Sequence, residues 1–199
     1  MQLVLASSSP YRRELLRHLG LPFVWEAPQV DESAYPGEQA ETLCRRLALS
    51  KAQDLAARYH NAQIIGSDQV CVCEGAMLGK PGDAQAAREQ LRLCSGRTAV
   101  FHTALVLLDT HTGRWQEALD LFSVDFRELS IGEIDAYVDR ENPLDCAGSF
   151  KAEGLGIALF SAMRGKDFHS LLGLPLISLC DLLRTAGLNP LAPDSQAGG

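Results

Sequence analysis

Segments with the apolar pattern of β-strands alternate with helical patterns along most of this 199-residue chain. Six segments have strand patterns: 2–6, 22–27, 62–73, 97–109, 114–127 and 155–160. Five have helical patterns: 10–19, 38–59, 83–94, 130–139 and 174–186. A turn at His111-Thr112-Gly113 joins the two longest strand segments into a hairpin. Strands that alternate with helices, combined with a long hairpin, predict an α/β fold with a mixed sheet.

The composition favours one domain that binds a small anion. Hydrophobic residues make up 46% of the chain, enough for a sizeable core, and residues 1–189 are expected to form one domain with two lobes. The net charge is −7 and the basic residues form no block, so binding to nucleic acid or to a membrane is not expected. Residues 190–199 are rich in Pro, Gly and Ser and are predicted to be disordered.

The six cysteines are scattered along the chain and form no CxxC pair. This spacing argues against zinc binding and against a disulfide framework. We therefore expect them to be small buried hydrophobic residues in a cytoplasmic protein.

The segment Ser7-Ser8-Ser9-Pro10-Tyr11-Arg12-Arg13 connects the first predicted strand to the first predicted helix. Ser9 suits the N-cap and Pro10 the first helical position. Arg12 and Arg13 then lie near the helix start, where the helix dipole disfavours cations. Hydroxyl groups, free backbone N–H groups and two guanidinium groups at one helix start predict a site for an anion, above all phosphate. The alternative is two solvated surface arginines.

Three charged residues lie where the local pattern requires apolar ones. Arg12 shares the apolar face of the first helix, Lys51 shares that of the second, and Asp68 interrupts the third strand. A charge on an inward face costs free energy unless it is paired or serves a site. The alternative for Asp68 is a buried acid held by neighbouring polar groups, and the alternative for Lys51 is a lysine whose side chain extends to solvent. The three charges together predict a charged cleft.

Two segments bounded by glycine supply further candidates. Gly79-Lys80-Pro81 places a lysine in a predicted loop over residues 74–82. The loop lacks the GxxxxGK[ST] pattern of a P-loop, and an ordinary turn is its alternative. In a second segment, Lys151 and Glu153 alternate with apolar residues, so an extended chain would point both to one side. A solvated hairpin edge is the alternative there.

Together these motifs resemble the Maf family of nucleoside-triphosphate pyrophosphatases, over residues 3 to about 187. The motifs that carry the resemblance are Ser7–Arg13, Val30-Asp31-Glu32, Lys51-Ala52, Ile65–Val70, Gly79-Lys80-Pro81, Ser95-Gly96-Arg97-Thr98 and Ser149–Gly154. Each motif is short, but their order along the chain is specific. The resemblance implies the fold of the inosine-triphosphate pyrophosphatases, which is an elongated two-lobed body around a long, curved, mixed β-sheet.

The resemblance also implies a house-cleaning activity, the hydrolysis of the α–β phosphoanhydride of a nucleoside triphosphate to the monophosphate and pyrophosphate. It implies a divalent metal cation, Mg²⁺ or Mn²⁺, a cytoplasmic location and frequent homodimers. Tyr11, Gln69 and Glu153 match three positions that separate substrate classes, and they resemble the 7-methyl-GTP subgroup. An aromatic ring and a carboxylate suit the cationic base of that nucleotide. A salt bridge to Lys151 is the alternative role for Glu153.

The implied mechanism assigns a role to each charged residue. Asp68 is expected to be the general base, and Glu32 and Asp68 are expected to hold the metal. The side chains expected to bind the substrate phosphates are Ser7, Ser9, Arg12, Arg13, Lys51 and Lys80. Arg97 and Lys151 are candidates for supporting roles.

Two other functions stay open on the sequence. One is a pyrophosphatase for dTTP, UTP or another modified nucleotide. The other is a non-catalytic nucleotide sensor that regulates septum formation. Members of the family are associated with inhibition of septum formation. The carboxylate of Asp68 argues against a pure binding protein, because it repels phosphate unless a metal intervenes. A kinase or GTPase is disfavoured, since neither signature is present.

Overall fold

A seven-stranded mixed sheet forms the centre of the protein in a computed structural model, which describes residues 1–192. The strands are β1 (Gln2–Ala6), β2 (Val24–Glu26), β3 (Ala62–Cys73), β4 (Ala76–Leu78), β5 (Thr98–Asp109), β6 (Trp115–Phe126) and β7 (Phe160–Gly165). They lie in the order β2-β1-β3-β5-β6-β7, and β4 pairs with β3. β1 is parallel to β2 and β3, whereas the other described pairs are antiparallel.

Helices cover both faces of this sheet. The described residues form α1 (Pro10–Arg17), α2 (Ala40–Ala56), α3 (Ala84–Cys94), α4 (Ile131–Glu141), α5 (Phe168–Leu171) and α6 (Leu176–Thr185). On one face Leu47 and Leu55 of α2 pack in a cluster with Ile64, and on the other α1 and α6 pack around Ile65. Ile64 and Ile65 point to opposite faces because strand side chains alternate. The predicted α/β class with a mixed sheet is confirmed.

Among residues 1–192, β3 lacks a strand neighbour along part of one edge. β1 pairs with β3 only as far as Ala6, which lies opposite Gly66. β4 resumes the pairing on the same edge at Leu78, opposite Cys71. Within the described part of the chain, residues 67–70 therefore have β5 as their only strand neighbour. The carboxyl end of β1 opens onto this gap, which is a usual place for a ligand site in an α/β sheet.

Gly66 lets α2 lie unusually close to β3. A Cβ atom at Gly66 would lie 2.1 Å from the carbonyl oxygen of Ala48 and 3.1 Å from the Cβ atom of Ala52. The close approach thus occurs at the helical turn from which Lys51 extends. Gly66 and Asp68 are two residues apart and face the same side of the sheet, so this approach brings Lys51 beside Asp68.

Three helix starts follow the predicted capping chemistry. Ser9 and Asp83 each accept a hydrogen bond from a backbone N–H group in the first turn of α1 and α3. Ser130 and Glu133 form the predicted capping box, in which each side chain accepts from the backbone N–H group of the other. These bonds satisfy N–H groups that a helix start leaves without partners.

The prediction of a strand over residues 155–160 was wrong. Leu155–Leu159 form a 3₁₀ turn, and β7 begins only at Phe160. A Cβ atom at Gly156 would lie 2.3 Å from the carbonyl oxygen of Lys151, so the chain folds back on itself there. The N–H group of Gly156 donates to that same carbonyl rather than to a neighbouring strand.

The segment 74–82 was predicted to be a loop throughout, but it contains β4. Glu74 and Gly75 have φ angles of 50° and 77° and connect the paired residues Cys73 and Ala76. Positive φ at both central positions is characteristic of a type I′ turn, whose twist matches that of two antiparallel strands. The turn therefore continues the chain into a hairpin.

Helix α5 was not predicted from the sequence. It has only four residues, too few for a hydrophobic period to be recognised. The carboxylate of Asp167 accepts hydrogen bonds from the backbone N–H groups of His169 and Ile177, near the starts of α5 and α6. This one side chain therefore fixes the course of the chain between the two helices.

The cysteines and the C-terminal residues were also subjects of prediction from the sequence. All six cysteines are free. Four of them, Cys44, Cys71, Cys73 and Cys94, are buried as predicted, whereas Cys146 and Cys180 are only half-buried. In the predicted disordered segment 190–199, residues 190–192 lie in a turn, and 193–199 lie outside the described residues. Among residues 1–192, no helix has both the length and the apolar character needed to cross a membrane.

Candidate active site

A cavity of about 630 Å³ opens at the gap beside β3. Its walls come from β3, the segment after β1, the loop after β4, and two distant segments near residues 145–153 and 171–173. The predicted site residues that line it are Ser7, Ser9, Tyr11, Arg12, Glu32, Lys51, Asp68, Gln69, Lys80 and Glu153. Side chains that are far apart in the sequence thus share one cavity.

Lys51 lies between two carboxylates in this cavity. Its Nζ atom is 2.6 Å from Oδ1 of Asp68 and 2.7 Å from Oε1 of Glu32. Lys51 is only 5% exposed and Asp68 only 7%, so the lysine does not extend to solvent. The side chain of Glu32 is 59% exposed and faces the open part of the cavity. The ammonium group offsets the repulsion between the two carboxylates.

The two carboxylates have pKa values shifted in opposite directions. Burial raises the pKa of Asp68 above its ordinary value, although Lys51 and Arg12 act against that shift. Burial also acts to raise the pKa of Glu32, but the hydrogen bond and charge of Lys51 and the other nearby cations outweigh it, and this pKa is lowered. Asp68 is therefore the better proton acceptor, whereas Glu32 stays anionic over a wider pH range.

The segment after β1 brings hydroxyl groups and a guanidinium group to the cavity. Ser7 Oγ accepts a hydrogen bond from the N–H group of Ser9 at 3.1 Å, and Ser9 Oγ accepts from that of Arg12. Because both oxygens act as acceptors in these bonds, their hydroxyl hydrogens are available to an anion. Arg12 Nε donates to the carbonyl of Gly173 at 2.8 Å, which fixes the plane of the guanidinium group.

Gly173 is a site residue that the sequence did not indicate. Its carbonyl also accepts a hydrogen bond from Ser67 Oγ at 3.0 Å, so it connects α1, β3 and the segment before α6. Its φ angle is +98°, and a Cβ atom there would lie 3.2 Å from Arg12 Nε. Gly173 is a lone glycine between two leucines, and it belongs to no sequence motif that would indicate a site residue.

Gln69 is held by the C-terminal segment of α5. Its Nε2 atom donates to the carbonyls of Ser170 and Leu171, at 2.7 Å and 3.2 Å, and to Thr103 Oγ1 at 3.0 Å. Because carbonyl oxygens only accept, the amide nitrogen must face this segment. The amide oxygen of Gln69 is then the polar atom left for a ligand, and it acts as an acceptor.

Tyr11 and two acids form a second polar group in the cavity. Burial raises the pKa of Tyr11 to about 12, and the neighbouring Cys146, Asp145 and Glu153 add to the shift. Asp145 and Cys146 line the cavity but were not identified from the sequence, since neither belongs to a motif. Buried Phe150 lies on the same wall. An aromatic face, an apolar wall and two carboxylates suit a flat, cationic ring.

Arg13 does not line the cavity, unlike its neighbour Arg12. Its guanidinium carbon lies 4.0 Å from the centre of the Trp25 ring on β2. Successive helical residues point about 100° apart, and this rotation directs Arg13 toward β2 while Arg12 lines the cavity. Of the two arginines predicted to bind phosphate, only Arg12 is among the residues that line the cavity.

Arg97 and Lys151 are also not brought to the cavity. Arg97 is exposed and donates to the carbonyl of Leu93 at the end of α3. Lys151 Nζ donates to the carbonyl of Glu141 at 2.7 Å. The segment around Lys151 turns instead of extending, so Lys151 and Glu153 do not share a side as the extended pattern predicted. The predicted supporting roles have no geometric basis in this arrangement.

The residues present fit a cation that is shared with a substrate. In the described part of the chain, no three or more His, Cys, Asp or Glu side chains are grouped so that they could hold a metal ion. Glu32 and Asp68 are nonetheless both within 2.7 Å of the same ammonium group. Mg²⁺ is commonly bound through one or two carboxylates, with water and substrate phosphates completing its shell. The pair matches that donor set.

The sequence matches a known family over nearly the whole chain. Residues 2–186 match the family model described as Maf-like protein, and the chain belongs to the Maf family. A relative from Chromohalobacter salexigens is named 7-methyl-GTP pyrophosphatase. It is 52% identical over 191 residues, which cover 96% of this chain and 98% of the relative. The family resemblance noted in the sequence is confirmed.

Proposed function

We propose that this protein is a nucleotide pyrophosphatase that hydrolyses 7-methyl-GTP to the monophosphate and pyrophosphate. The observation that carries the proposal is the arrangement in one cavity of two chemically different groups. Asp68, Glu32 and Lys51 form a charged centre near Arg12. Tyr11 forms the second group, with acids around it. The identity to a relative of that name supports the same substrate.

The second group suits a methylated guanine better than an ordinary base. Methylation at N7 gives the ring a positive charge, which favours the face of Tyr11 and the carboxylate of Glu153. A carboxylate also accepts hydrogen bonds from the N1–H and 2-amino groups of guanine. The free amide oxygen of Gln69 supplies one more acceptor to the same ligand. These preferences disfavour a thymine or uracil base, which presents fewer donors.

The protein residues account for the chemical step. Asp68 removes a proton from a water molecule, whose oxygen attacks the α-phosphorus; the bond to the bridging oxygen breaks, and pyrophosphate leaves. Arg12, Lys51 and Lys80 balance the charge of the triphosphate and of the leaving group. The hydroxyl groups of Ser7 and Ser9 and the start of α1 donate hydrogen bonds to phosphate oxygens. Catalysis then comes from placement and charge rather than from a covalent intermediate.

Glu32 and Asp68 would hold a divalent metal, Mg²⁺ or Mn²⁺, together with the phosphates. A bound cation supplies additional neutralisation of phosphate charge at the reacting centre. Lys51 keeps the two carboxylates near each other and limits their mutual repulsion. The two acids therefore have different tasks, with the exposed Glu32 directed to the cation and the buried Asp68 directed also to the water.

Product analysis with a panel of triphosphates tests the proposal. The purified protein is incubated with 7-methyl-GTP, GTP, UTP and dTTP, first with Mg²⁺, then with Mn²⁺ and finally with a chelator. We expect metal-dependent release of pyrophosphate, fastest from 7-methyl-GTP. Faster release from UTP or dTTP would assign the other substrate class. Tight nucleotide binding without any product in either metal would indicate a nucleotide sensor and would refute the enzymatic proposal.

We also propose a homodimer in the cytoplasm, as the family resemblance implies. The edge strand β2 leaves apolar surface at Val24 and Trp25, which are 37% and 48% exposed, and such an edge favours pairing with another chain. Light scattering of the purified protein tests the assembly. A mass of one chain, 21.6 kDa, at all concentrations would contradict it.

A further inference from the structure

Gln90 of α3 connects two walls of the cavity without lining it. Its Nε2 atom donates to the carbonyl of Gly79 at 3.1 Å, and its Oε1 atom accepts from the hydroxyl group of Ser149 at 2.6 Å. Gly79 precedes Lys80 in the loop after β4. Ser149 begins the segment that carries Glu153. One amide group therefore binds the wall that meets the phosphates and the wall that meets the base.

The partners of Gln90 determine how its amide group is oriented. A backbone carbonyl can only accept, so the amide nitrogen must face Gly79 and the amide oxygen must face Ser149. Both polar atoms of the amide are thus used within the protein. The bond to Gly79 requires a hydrogen-bond donor on residue 90, whereas the bond from Ser149 requires an acceptor. They can therefore be removed one at a time.

Ser149 depends on this bond more than an ordinary loop residue would. It is fully buried, and its φ angle is +61°, a left-handed conformation that costs free energy for a residue other than glycine. Gly148 before it also has a positive φ angle, and a Cβ atom there would lie 3.2 Å from the ring of Phe101. The chain thus enters the base-side wall through a strained turn that has little freedom to shift.

We propose that Gln90 is a positioning residue that sets the placement of the Lys80 loop relative to the Glu153 segment. The assignment of the two walls to phosphate and base rests on the proposed function. A backbone hydrogen bond from Gly82 to the carbonyl of Leu144, at 3.0 Å, joins the same two regions elsewhere. Loss of the Gln90 side chain therefore loosens the walls without separating them.

Three substitutions separate the two connections. Gln90→Glu keeps an acceptor for the hydroxyl group of Ser149 but loses the donor to Gly79. Ser149→Ala has the opposite effect and keeps only the bond between Gln90 and Gly79. Gln90→Ala removes both bonds. For Gln90→Glu we expect kcat/KM to fall about tenfold for 7-methyl-GTP and GTP alike, because the Lys80 loop is misplaced. For Ser149→Ala we expect the preference for 7-methyl-GTP over GTP to fall about tenfold, because the base-side wall moves. Gln90→Ala combines both losses.

Gln85→Ala is the matched control on the same helix. Gln85 is exposed, and its side chain donates to Glu89 at 2.7 Å, away from the cavity. We expect this variant to retain the wild-type kcat/KM and the wild-type preference between the two nucleotides. A change equal to that of Gln90→Ala would show that any glutamine loss on α3 has the same effect, and would overturn the proposal.

Amide hydrogen exchange of the ligand-free proteins gives a readout that needs no activity. We expect faster exchange at residues 79–82 in Gln90→Glu, at 145–153 in Ser149→Ala and at both in Gln90→Ala. If the wild type hydrolyses no nucleotide, the proposed function fails while this exchange pattern still tests the role of Gln90. Wild-type exchange in both segments of Gln90→Ala overturns the inference. Faster exchange spread evenly over the sheet also overturns it, since it indicates a general loss of stability.

Discussion

At the scale of single residues, the environment of Asp68 decides what its carboxylate can do. Burial raises its pKa, while the ammonium group of Lys51 lies 2.6 Å away and favours the charged form. A lone buried carboxylate would be neutral, and a fully solvated one would be a weak base. The combination gives a carboxylate that can take a proton from water and is held in place by its neighbour.

We expect Asp68→Asn to retain the fold and to lose activity by a factor of about 10² to 10⁴, the range for a general base. The amide keeps the size of the carboxylate but cannot accept the proton. Steady-state hydrolysis of 7-methyl-GTP and thermal unfolding measure the two effects. Asp31→Asn is the control, because Asp31 is exposed next to Glu32 and does not line the cavity. Turnover of Asp68→Asn near that of the control would exclude the base role.

Glu153→Gln tests the recognition of a charged base. The amide keeps an acceptor but removes the negative charge, so we expect the preference for 7-methyl-GTP over GTP to fall by about fivefold, since an exposed charge contact contributes about 1 kcal/mol. The ratio of the two kcat/KM values measures the effect. Glu74→Gln removes an exposed charge in the β3–β4 turn and should leave the ratio unchanged. An unchanged ratio in Glu153→Gln would remove this residue from substrate selection.

At the scale of secondary-structure elements, the contact between α2 and β3 assembles the charged centre. Gly66 leaves no side chain between the strand and Ala48, so the helix lies close enough for Lys51 to reach Asp68. The helical spacing of Lys51 was visible in the sequence, but the role of Gly66 was not. A glycine in a strand pattern indicates close approach without saying which element approaches.

We expect Gly66→Ala to destabilise the protein by about 1–3 kcal/mol, the usual cost of adding a methyl group to a packed interface. The rate of hydrolysis should fall as well, because α2 carries Lys51 away from Asp68. Urea unfolding and kinetics measure the two. The control is Gly132→Ala in α4, where an added Cβ atom meets nothing within 4 Å and alanine favours the helix. Equal stability of Gly66→Ala and the wild type would contradict the close contact.

The capping box of α4 gives a pH-dependent contribution to stability. Hydrogen bonds from the backbone and side chain of Ser130, followed by that from Arg127, lower the pKa of Glu133 from 4.5 to about 2. Because the pKa of Glu133 is lower in the folded than in the unfolded protein, its ionised carboxylate stabilises the folded protein above pH 4.5. This contribution is lost as the pH falls from 4.5 through about 2. We therefore expect the wild type to be more stable than Glu133→Gln at pH 7, and the difference to shrink below pH 4.5.

Urea unfolding of both proteins between pH 7 and pH 3 measures that difference. Glu128→Gln removes a nearby exposed charge outside the capping box and serves as the control. A difference between wild type and Glu133→Gln that stays constant over this pH range would show that the carboxylate does not act through its charge.

At the scale of the whole molecule, the gap in the sheet brings the distant segments together. β1 ends at Ala6, opposite Gly66, and β4 ends at Leu78, opposite Cys71, so the segments after β1 and β4 both start beside the same opening. The segment near 145–153 and the one near 171–173 close it from other sides. A ligand that fills the cavity therefore contacts parts of the chain that are otherwise joined only through the sheet.

We expect a non-hydrolysable 7-methyl-GTP analogue to stabilise the protein by about 2.7 kcal/mol at a hundred times its Kd, as linkage requires. Hydrogen exchange should slow both at residues 7–12 and at 145–153. Pyrophosphate alone should slow it at 7–12 but not at 145–153, because it fills only the cationic part of the cavity. The same protection pattern with both ligands would contradict a division into phosphate and base regions.

The sequence by itself determined the type of the longer elements, the caps of α1, α3 and α4, and the nature of the charged residues, because hydrophobic period, capping chemistry and charge are local properties. It located the strand over 62–73 with the bounds that the structure has, and it singled out Lys51 and Asp68. Only the tertiary structure decided that Arg12 and not Arg13 faces the cavity, that Lys151 turns away, and that Gly173 and Gln90 each form hydrogen bonds to two of the segments around the cavity. Those outcomes depend on the direction of a side chain and on contacts between remote segments, which no local pattern of residues encodes.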